Sequence, residues 1–239
     1  MRIVGHRGAS RDQPENTLEA FAEAVAQGAD GIELDVMACG SGELVVCHDE
    51  SLARLAGVDL DVRLTPLTRL KRLDVGSRLG FAPARIPTLA EVFEMLPGDF
   101  FVNIEMKCIT RDDRGLARAV GRFIEKHALG SRVLVSSFNA LCLVRLAQEF
   151  PQVPRGYLSD PQLPWVLEEF LWANLCAKDS IHPFDADCTE ARVKRWKARG
   201  WQVAVWTVDD VARARTLRDF GVDMLITNVP GAMRAGLSA

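Results

Sequence analysis

Met1-Arg2-Ile3-Val4-Gly5-His6-Arg7-Gly8 opens the chain, and Gly31-Ile32-Glu33-Leu34-Asp35-Val36 follows thirty residues later. Each is a short apolar run that carries charge, the pattern of strands delivering polar groups to one place. Strand side chains alternate faces, so Glu33 and Asp35 point the same way, roughly 7 Å apart at ~3.3 Å per residue. Ile32, Leu34 and Val36 take the opposite face. Two carboxylates brought to ~4 Å repel by about 4 kcal/mol at an effective dielectric of about 20. A divalent cation between them is the expected remedy.

The same rhythm continues along the chain. Strands are expected at 2–5, 30–36, 100–106, 132–136, 153–158, 173–178, 202–207 and 222–226, with amphipathic helices between most of them and one after the last. Such alternation predicts a parallel sheet, and eight evenly spaced units favour a closed α/β TIM (β/α)8 barrel over an open doubly wound sheet. The first helix has Asn16 as its expected N-cap, with Glu19 completing a capping box and Gly28 ending it. A helix at 209–220 with Gly221 after it precedes the final strand. From Asp49 to Pro87 the rhythm breaks, which predicts an insertion of about 49–86 after the second strand, followed by a helix at 88–96 capped by Thr88. In a barrel this insertion falls on the face where active sites are built. No linker divides the chain, so a single domain over 1–239 is expected.

The 239 residues are 48% hydrophobic and 26% charged, the balance of an ordinary globule, and the net charge of −3 argues against nucleic acid as a partner. Only two apolar residues follow Arg2 before the polar Gly5-His6-Arg7 turn, too few for a secretion signal, and no apolar run approaches ~20 residues. A cytoplasmic location without stable membrane insertion is the expectation. Six cysteines (39, 47, 108, 142, 176, 188) lack a Cys-x-x-Cys spacing. Cys47, Cys108 and Cys176 lie in or beside apolar runs and read as small hydrophobes, and neither a zinc site nor a disulfide framework is expected. The charge clusters at 111–118 and 192–199 read as solvated helix faces.

Chemistry concentrates in few residues. In Phe101-Val102-Asn103-Ile104-Glu105-Met106-Lys107, alternation puts Asn103, Glu105 and Lys107 on one face. If the second and third strands adjoin, Glu105 joins Glu33 and Asp35, an all-oxygen set suited to Mg²⁺ or Ca²⁺. Salt bridging inside the barrel is the plainer use for each acid alone. His48 leaves the short apolar run Leu44-Val45-Val46-Cys47 and pairs with His6 as a second imidazole able to transfer protons near neutral pH. Arg7 offers a planar fork for phosphate oxygens and Lys107 a point charge. Together these groups read as phosphoryl chemistry. Trp206 either closes the pocket over the substrate or packs in the core. His182 is expected in a loop, and His127 at a helix end has no assigned function.

At this point the chain resembles the glycerophosphodiester phosphodiesterases. His6-Arg7-Gly8-Ala9-Ser10, Pro14-Glu15-Asn16-Thr17, Gly28 to Val36 and His48-Asp49 carry the likeness. Arg85-Ile86-Pro87-Thr88-Leu89, Asn103 to Lys107, Ser136-Ser137-Phe138 and Val205-Trp206-Thr207-Val208 extend it over nearly the whole chain. The resemblance implies a TIM barrel with a small insertion after the second strand. It implies Glu33, Asp35 and Glu105 as metal ligands, His6 and His48 as acid and base, and Arg7 and Lys107 as phosphate holders. The implied reaction is metal-dependent hydrolysis of a glycerophosphodiester to an alcohol and sn-glycerol 3-phosphate. Water and the glycerol 2-hydroxyl both qualify as nucleophile, and either histidine as acid. Gly76-Ser77-Arg78-Leu79 replaces the family's usual Gly-Ser-aromatic-aromatic run, and Thr227-Asn228-Val229-Pro230 has asparagine where aspartate is frequent. Met106 and Cys108 are also unusual flanks for Lys107. Two rivals stand beside this reading. A lysophospholipase D would need an apolar groove, for which the patch at 161–167 and 170–172 is the candidate. A silent phosphodiester-binding barrel would be favoured by a missing histidine or acid, and none is missing.

Overall fold

The computed structural model describes residues 1–108, 110–159, 173, 176 and 179–238. Among these, eight parallel strands close on themselves: β1 (Arg2–His6), β2 (Gly31–Ala38), β4 (Phe101–Met106), β5 (Val133–Ser137), β6 (Arg155–Leu158), β7 (Ser180–His182), β8 (Gln202–Val205) and β9 (Met224–Thr227). Neighbours pair in sequence order, and β1 pairs with both β2 and β9, which closes the TIM barrel. A ninth strand, β3 (Leu44–Val46), runs antiparallel to the end of β2, with Val36 opposite Val46. The helices α1 (Leu18–Ala26), α2 (Leu89–Met95), α3 (Leu116–Lys126), α4 (Ala140–Glu149), α5 (Glu190–Ala198), α6 (Val211–Asp219) and α7 (Pro230–Ser238) lie between or after the strands.

The alternation of the strands explains the layers. Outward residues such as Ile32, Leu34, Val102, Ile104, Val135 and Val203 are buried in one core with helix residues Phe21, Leu89, Val120 and Leu143. Each such side chain contributes about 1.5–3 kcal/mol on burial. Inside the barrel, Val4, Leu134, Ala204, Met224 and Ile226 form a small apolar plug. The polar inner residues Glu33, Asp35, Asn103, Glu105 and Ser136 are also buried. The barrel's interior is therefore apolar in one part and acidic in another.

The expected insertion is present and has its own core. Leu52, Leu55, Val62, Leu70, Val75 and Ile86 pack with Met37 and Val45 of the adjoining strands. Short helical turns at Ala53–Ala56, Val62–Leu64 and Leu67–Leu70 carry Leu55, Val62 and Leu70, and a fourth turn spans Ser77–Leu79. Where the insertion ends, Thr88 caps α2 in a capping box with Glu91, and Lys71 of the insertion salt-bridges the same Glu91.

Two expectations are corrected. Thr17, not Asn16, caps α1: its side chain accepts from the Ala20 amide. Asn16 instead has φ of 58°, outside any helix, because its side chain is committed elsewhere. The strand expected at 173–178 lies further along, at Ser180–His182, while the described residues of that range, Ala173 and Cys176, are helical. A run of small apolar residues reads equally as a buried helix or a strand, and periodicity alone does not separate them.

The close approach of α1 to β1 depends on Gly8. Its φ is 87°, and a Cβ there would lie 2.6 Å from the Ala20 carbonyl. Gly8→Ala should therefore cost roughly 2–5 kcal/mol, combining the left-handed penalty with overpacking. Gly42→Ala, at φ 98° with nothing within 4 Å of the new Cβ, should cost only about 1–2 kcal/mol. Equal shifts of the two denaturation midpoints would contradict this account.

Candidate active site

Strand register assembles the acids. His6 of β1 pairs with Glu33 of β2, and Asp35 of β2 pairs with Glu105 of β4. One carboxylate oxygen from each of Glu33, Asp35 and Glu105 lies within 4.8 Å of the others, and all three side chains are buried. Second oxygens of the cluster are clamped by the protein. The Arg7 backbone N–H donates to Glu33 Oε2 at 3.0 Å, and Asn16 Nδ2 donates to Asp35 Oδ2 at 2.8 Å. Asn16 Oδ1 also accepts from the Asp35 amide at 3.2 Å. That double contact explains its left-handed backbone.

Glu33 Oε1 and Asp35 Oδ1 are buried without a hydrogen-bond partner among the described residues. Buried acceptors left open in an all-carboxylate cluster fit a hard divalent cation. The electrostatics agree. Burial, with Asp35 and Glu105 close by, pushes the Glu33 carboxyl well above its ordinary range. Burial and Asp35 raise Glu105 to about 7. Burial opposes ionisation of Asp35 as well, but Lys107, Arg7 and His48 outweigh it and hold that carboxyl low.

The cations are arranged around the same acids. Lys107 Nζ donates to Glu105 Oε1 at 2.7 Å and lies 3.5 Å from Asp35 Oδ1. Arg7 has φ of 54° at the end of β1. Its Nη1 donates to Glu15 at 2.9 Å and its Nε lies 3.2 Å from Asp35. Glu15 in turn accepts from Arg54 of the insertion, which also donates to Asp49 at 2.6 Å. Asp49 Oδ1 is 2.6 Å from His48 Nδ1. A chain of alternating charge thus runs from Asp35 to His48, and the backbone adds a further tie because the Cys47 amide donates to the Asp35 carbonyl.

His6, Arg7, Glu33, His48, Glu105, Lys107 and Trp206 all line one cleft of about 240 Å³, with Asn103 at its wall and Phe138, Leu158 and Ile226 on its apolar side. A second, more open recess shares His6 and Arg7 and adds Ser10, Arg11, Glu15, Phe81 and Asn228. Burial lowers the affinity of both His6 and His48 for protons, with the Arg7 charge adding to it at each ring. The His6 Nδ1 lies 2.8 Å from Asn228 Oδ1, a neutral amide, whereas His48 faces the carboxylate of Asp49.

Trp206 follows β8 directly. Its Nε1 donates to the His182 carbonyl at 2.9 Å, and its ring meets Phe138 and Phe184 edge-on at 5.5 and 5.3 Å. His182 is not a loop residue. It ends β7 fully buried, with neither ring nitrogen hydrogen-bonded among the described residues, and burial holds it neutral with a pKa of about 3. Its ring occupies space that Gly156 vacates, since a Cβ there would lie 2.5 Å from His182 Nε2. The apolar patch at 161–167 and 170–172 lies outside the described residues. Among described residues, no helix is long and apolar enough to cross a membrane.

Sequence reading missed Asn16, Glu15, Arg54 and Asn228 as site residues. Asn16-x-x-Glu19 satisfies the capping-box pattern, and only the position of Asp35 shows that its amide is spent elsewhere. Arg54 gave no signal, because nothing in its neighbours tells which acid a surface arginine will reach.

Comparison with known proteins agrees with this geometry. The sequence profile of the Glycerophosphoryl diester phosphodiesterase family matches residues 6–232. A glycerophosphodiester phosphodiesterase of Caldanaerobacter subterraneus subsp. tengcongensis is 37% identical over 95% of this chain and 94% of its own. The structure of an Oleispira antarctica phosphodiesterase in complex with the product sn-glycerol-3-phosphate is 30% identical, with a TM-score of 0.85 over 100% of this chain and 97% of that one. A glycerophosphodiester phosphodiesterase from Thermotoga maritima is 33% identical, with a TM-score of 0.80 over 98% of this chain and 97% of that one.

The crowding of acids sets a pH signature. A carboxyl whose folded pKa is raised stabilises the fold fully below its unfolded value and loses that contribution as pH climbs through the folded one. For Glu105 this window runs from 4.5 to about 7. The metal-free protein should therefore weaken across it, and a divalent cation should restore stability by about 2.7 kcal/mol at a hundred times its Kd. Thermal melts with and without Mg²⁺ or Ca²⁺ should show a larger gain near about pH 8 than near about pH 5. A gain that is equal at both, or absent, would remove the cation from the cluster.

Proposed function

Because the chain belongs to the glycerophosphoryl diester phosphodiesterase family, we propose that it hydrolyses glycerophosphodiesters to an alcohol and sn-glycerol 3-phosphate. The observation that carries this reading is the convergence on one cleft of two histidines, two cations and an acidic cluster. The bound product of the Oleispira antarctica relative supports glycerol phosphate as one half of the substrate.

Glu33, Asp35 and Glu105 would hold a divalent cation, and their purely oxygen donors favour Mg²⁺ or Ca²⁺. When bound, such an ion supplies Lewis-acid polarisation of a phosphate oxygen. The remaining work falls to the chain's own side chains. Lys107 and Arg7 bind the anionic oxygens of the phosphodiester. Arg7 does so from a fixed position, because Glu15 and Asp35 already hold one side of its guanidinium. A cation locked in place loses less entropy on binding than a mobile one.

His6 takes the proton of the attacking oxygen and His48 delivers one to the leaving alkoxide. The partners of the two rings support this division. His6 faces a neutral amide and sits beside Arg7, so it is predisposed to be an uncharged acceptor. His48 Nδ1 instead faces the Asp49 carboxylate, which works toward the protonated ring, although burial, with Arg7 and Lys107, still leaves its proton affinity below the ordinary value. The attacking oxygen is that of water or of the glycerol 2-hydroxyl.

The glycerol arm belongs in the narrower cleft. At about 240 Å³ it lies below the ≈300–1,000 Å³ of drug-sized sites, which suits three carbons and not a long acyl chain. Trp206 supplies a ring surface there and no donor, since its Nε1 is already engaged. The alcohol arm then extends past His6 and Arg7 into the open recess beside Arg11 and Phe81.

His6→Ala and His48→Ala should each lower kcat by roughly 10²–10⁴-fold with unchanged circular dichroism. Near-normal turnover in both would refute their roles. On a panel of glycerophosphodiesters, the protein should release sn-glycerol 3-phosphate, stop in the presence of a chelator, and resume with Mg²⁺ or Ca²⁺. Faster turnover of acylated analogues than of glycerophosphocholine would instead favour a lysophospholipase D.

A further inference from the structure

Asn228 does not touch the acidic cluster, yet it is bonded to His6 by a network with only one consistent set of protons. Asp209 receives three donors from the end of β9 and the residue after it. Its Oδ1 accepts from the Asn228 amide at 2.8 Å and from Thr227 Oγ1 at 3.0 Å, and its Oδ2 accepts from Asn228 Nδ2 at 2.7 Å. A carboxylate offers acceptors only, so the nitrogen end of the Asn228 side chain must face Asp209. The amide cannot be turned round without setting two oxygens against each other.

With its nitrogen so fixed, Asn228 presents Oδ1 to the other side, where two groups meet it. Ser10 Oγ donates at 2.8 Å, and His6 Nδ1 stands at 2.8 Å. An amide oxygen has no proton to give. His6 must therefore carry its hydrogen on Nδ1, and in the neutral ring Nε2 is left as a lone pair. That nitrogen lies 4.0 Å from Oε2 of Glu33, a residue that lines the cleft together with His6.

We propose that Asn228, held by Asp209, is a positioning residue that locks His6 in the Nδ1–H tautomer and so keeps Nε2 available as the proton acceptor of the reaction. The lock rests on the reading of His6 as the base, but the tautomer can be observed without turnover. It also gives a physical meaning to the asparagine at 228. An amide fixes the same tautomer as a carboxylate would, without placing a negative charge beside the ring. It does so only because Asp209 stands behind it to choose which end of the amide faces His6.

Nitrogen-15 NMR of histidine-labelled protein, at a pH where free imidazole is neutral, tests the lock directly, with the His6 signals assigned by their loss in His6→Gln. The wild-type ring should carry its proton on Nδ1. In Asn228→Ala the Nε2–H form should appear, and kcat should fall about 10²-fold while KM holds. The exchanged pair, Asp209→Asn with Asn228→Asp, keeps one amide and one carboxylate in contact and should restore both the Nδ1–H form and most of kcat. A wild-type His6 protonated on Nε2 would overturn the proposal, even if no variant folds. So would an Asn228→Ala protein with unaltered tautomer and rate. Wild-type protein that shows the Nδ1–H ring but releases no sn-glycerol 3-phosphate would sink the functional reading and leave the lock standing.

Discussion

Three carboxylates buried within 4.8 Å of one another are a standing source of repulsion, and most of what surrounds them in this barrel answers that repulsion. Arg7 and Lys107 bring positive charge to Asp35, Asn16 and a backbone amide clamp individual oxygens, and two of the acids shift toward their protonated forms. The compensation remains partial, because open acceptors persist on Glu33 and Asp35. A site balanced in this way is poised for a multivalent cation, and the same charges that balance it are those a phosphodiester needs.

The cluster exists only because the strands hold register. Asp35 stands opposite Glu105 through six consecutive pairings between β2 and β4. A slip by one residue would turn every acid outward into the shell of Ile32, Leu34, Val102 and Ile104. The apolar outward faces therefore fix the active-site geometry as firmly as any polar contact does. The apolar plug beneath performs a related service, filling the barrel so that the acids gather in the remaining part of its interior.

The insertion after β2 is part of the site as well as a decoration of the barrel. Arg54 joins Glu15, beside Arg7, to Asp49, beside His48. Partly exposed ion pairs of this sort add little stability individually. Their value here is geometric: they couple the loop carrying His48 to the loop carrying Arg7, so the two sides of the cleft are set relative to each other. The Asp209–Asn228–His6 chain does the equivalent for the first histidine from the opposite direction.

Elements with strong periodicity, and residues whose chemistry is local, were legible in the chain before it folded. Alternation along β1, β2 and β4 announced which acids share a face, the break in rhythm announced the insertion, and Thr88 announced its helix. Tertiary structure alone decided matters that depend on partners far along the chain. Asn16 obeys a capping pattern, but Asp35, nineteen residues away, claims its amide. His182 sits beside a proline and reads as loop, but Gly156 makes room for it inside the barrel. The tautomer of His6 is set by Asn228 and Asp209 at the other end of the chain. Periodicity is a property of neighbours, whereas hydrogen-bond direction belongs to a closed network, and only folding closes it.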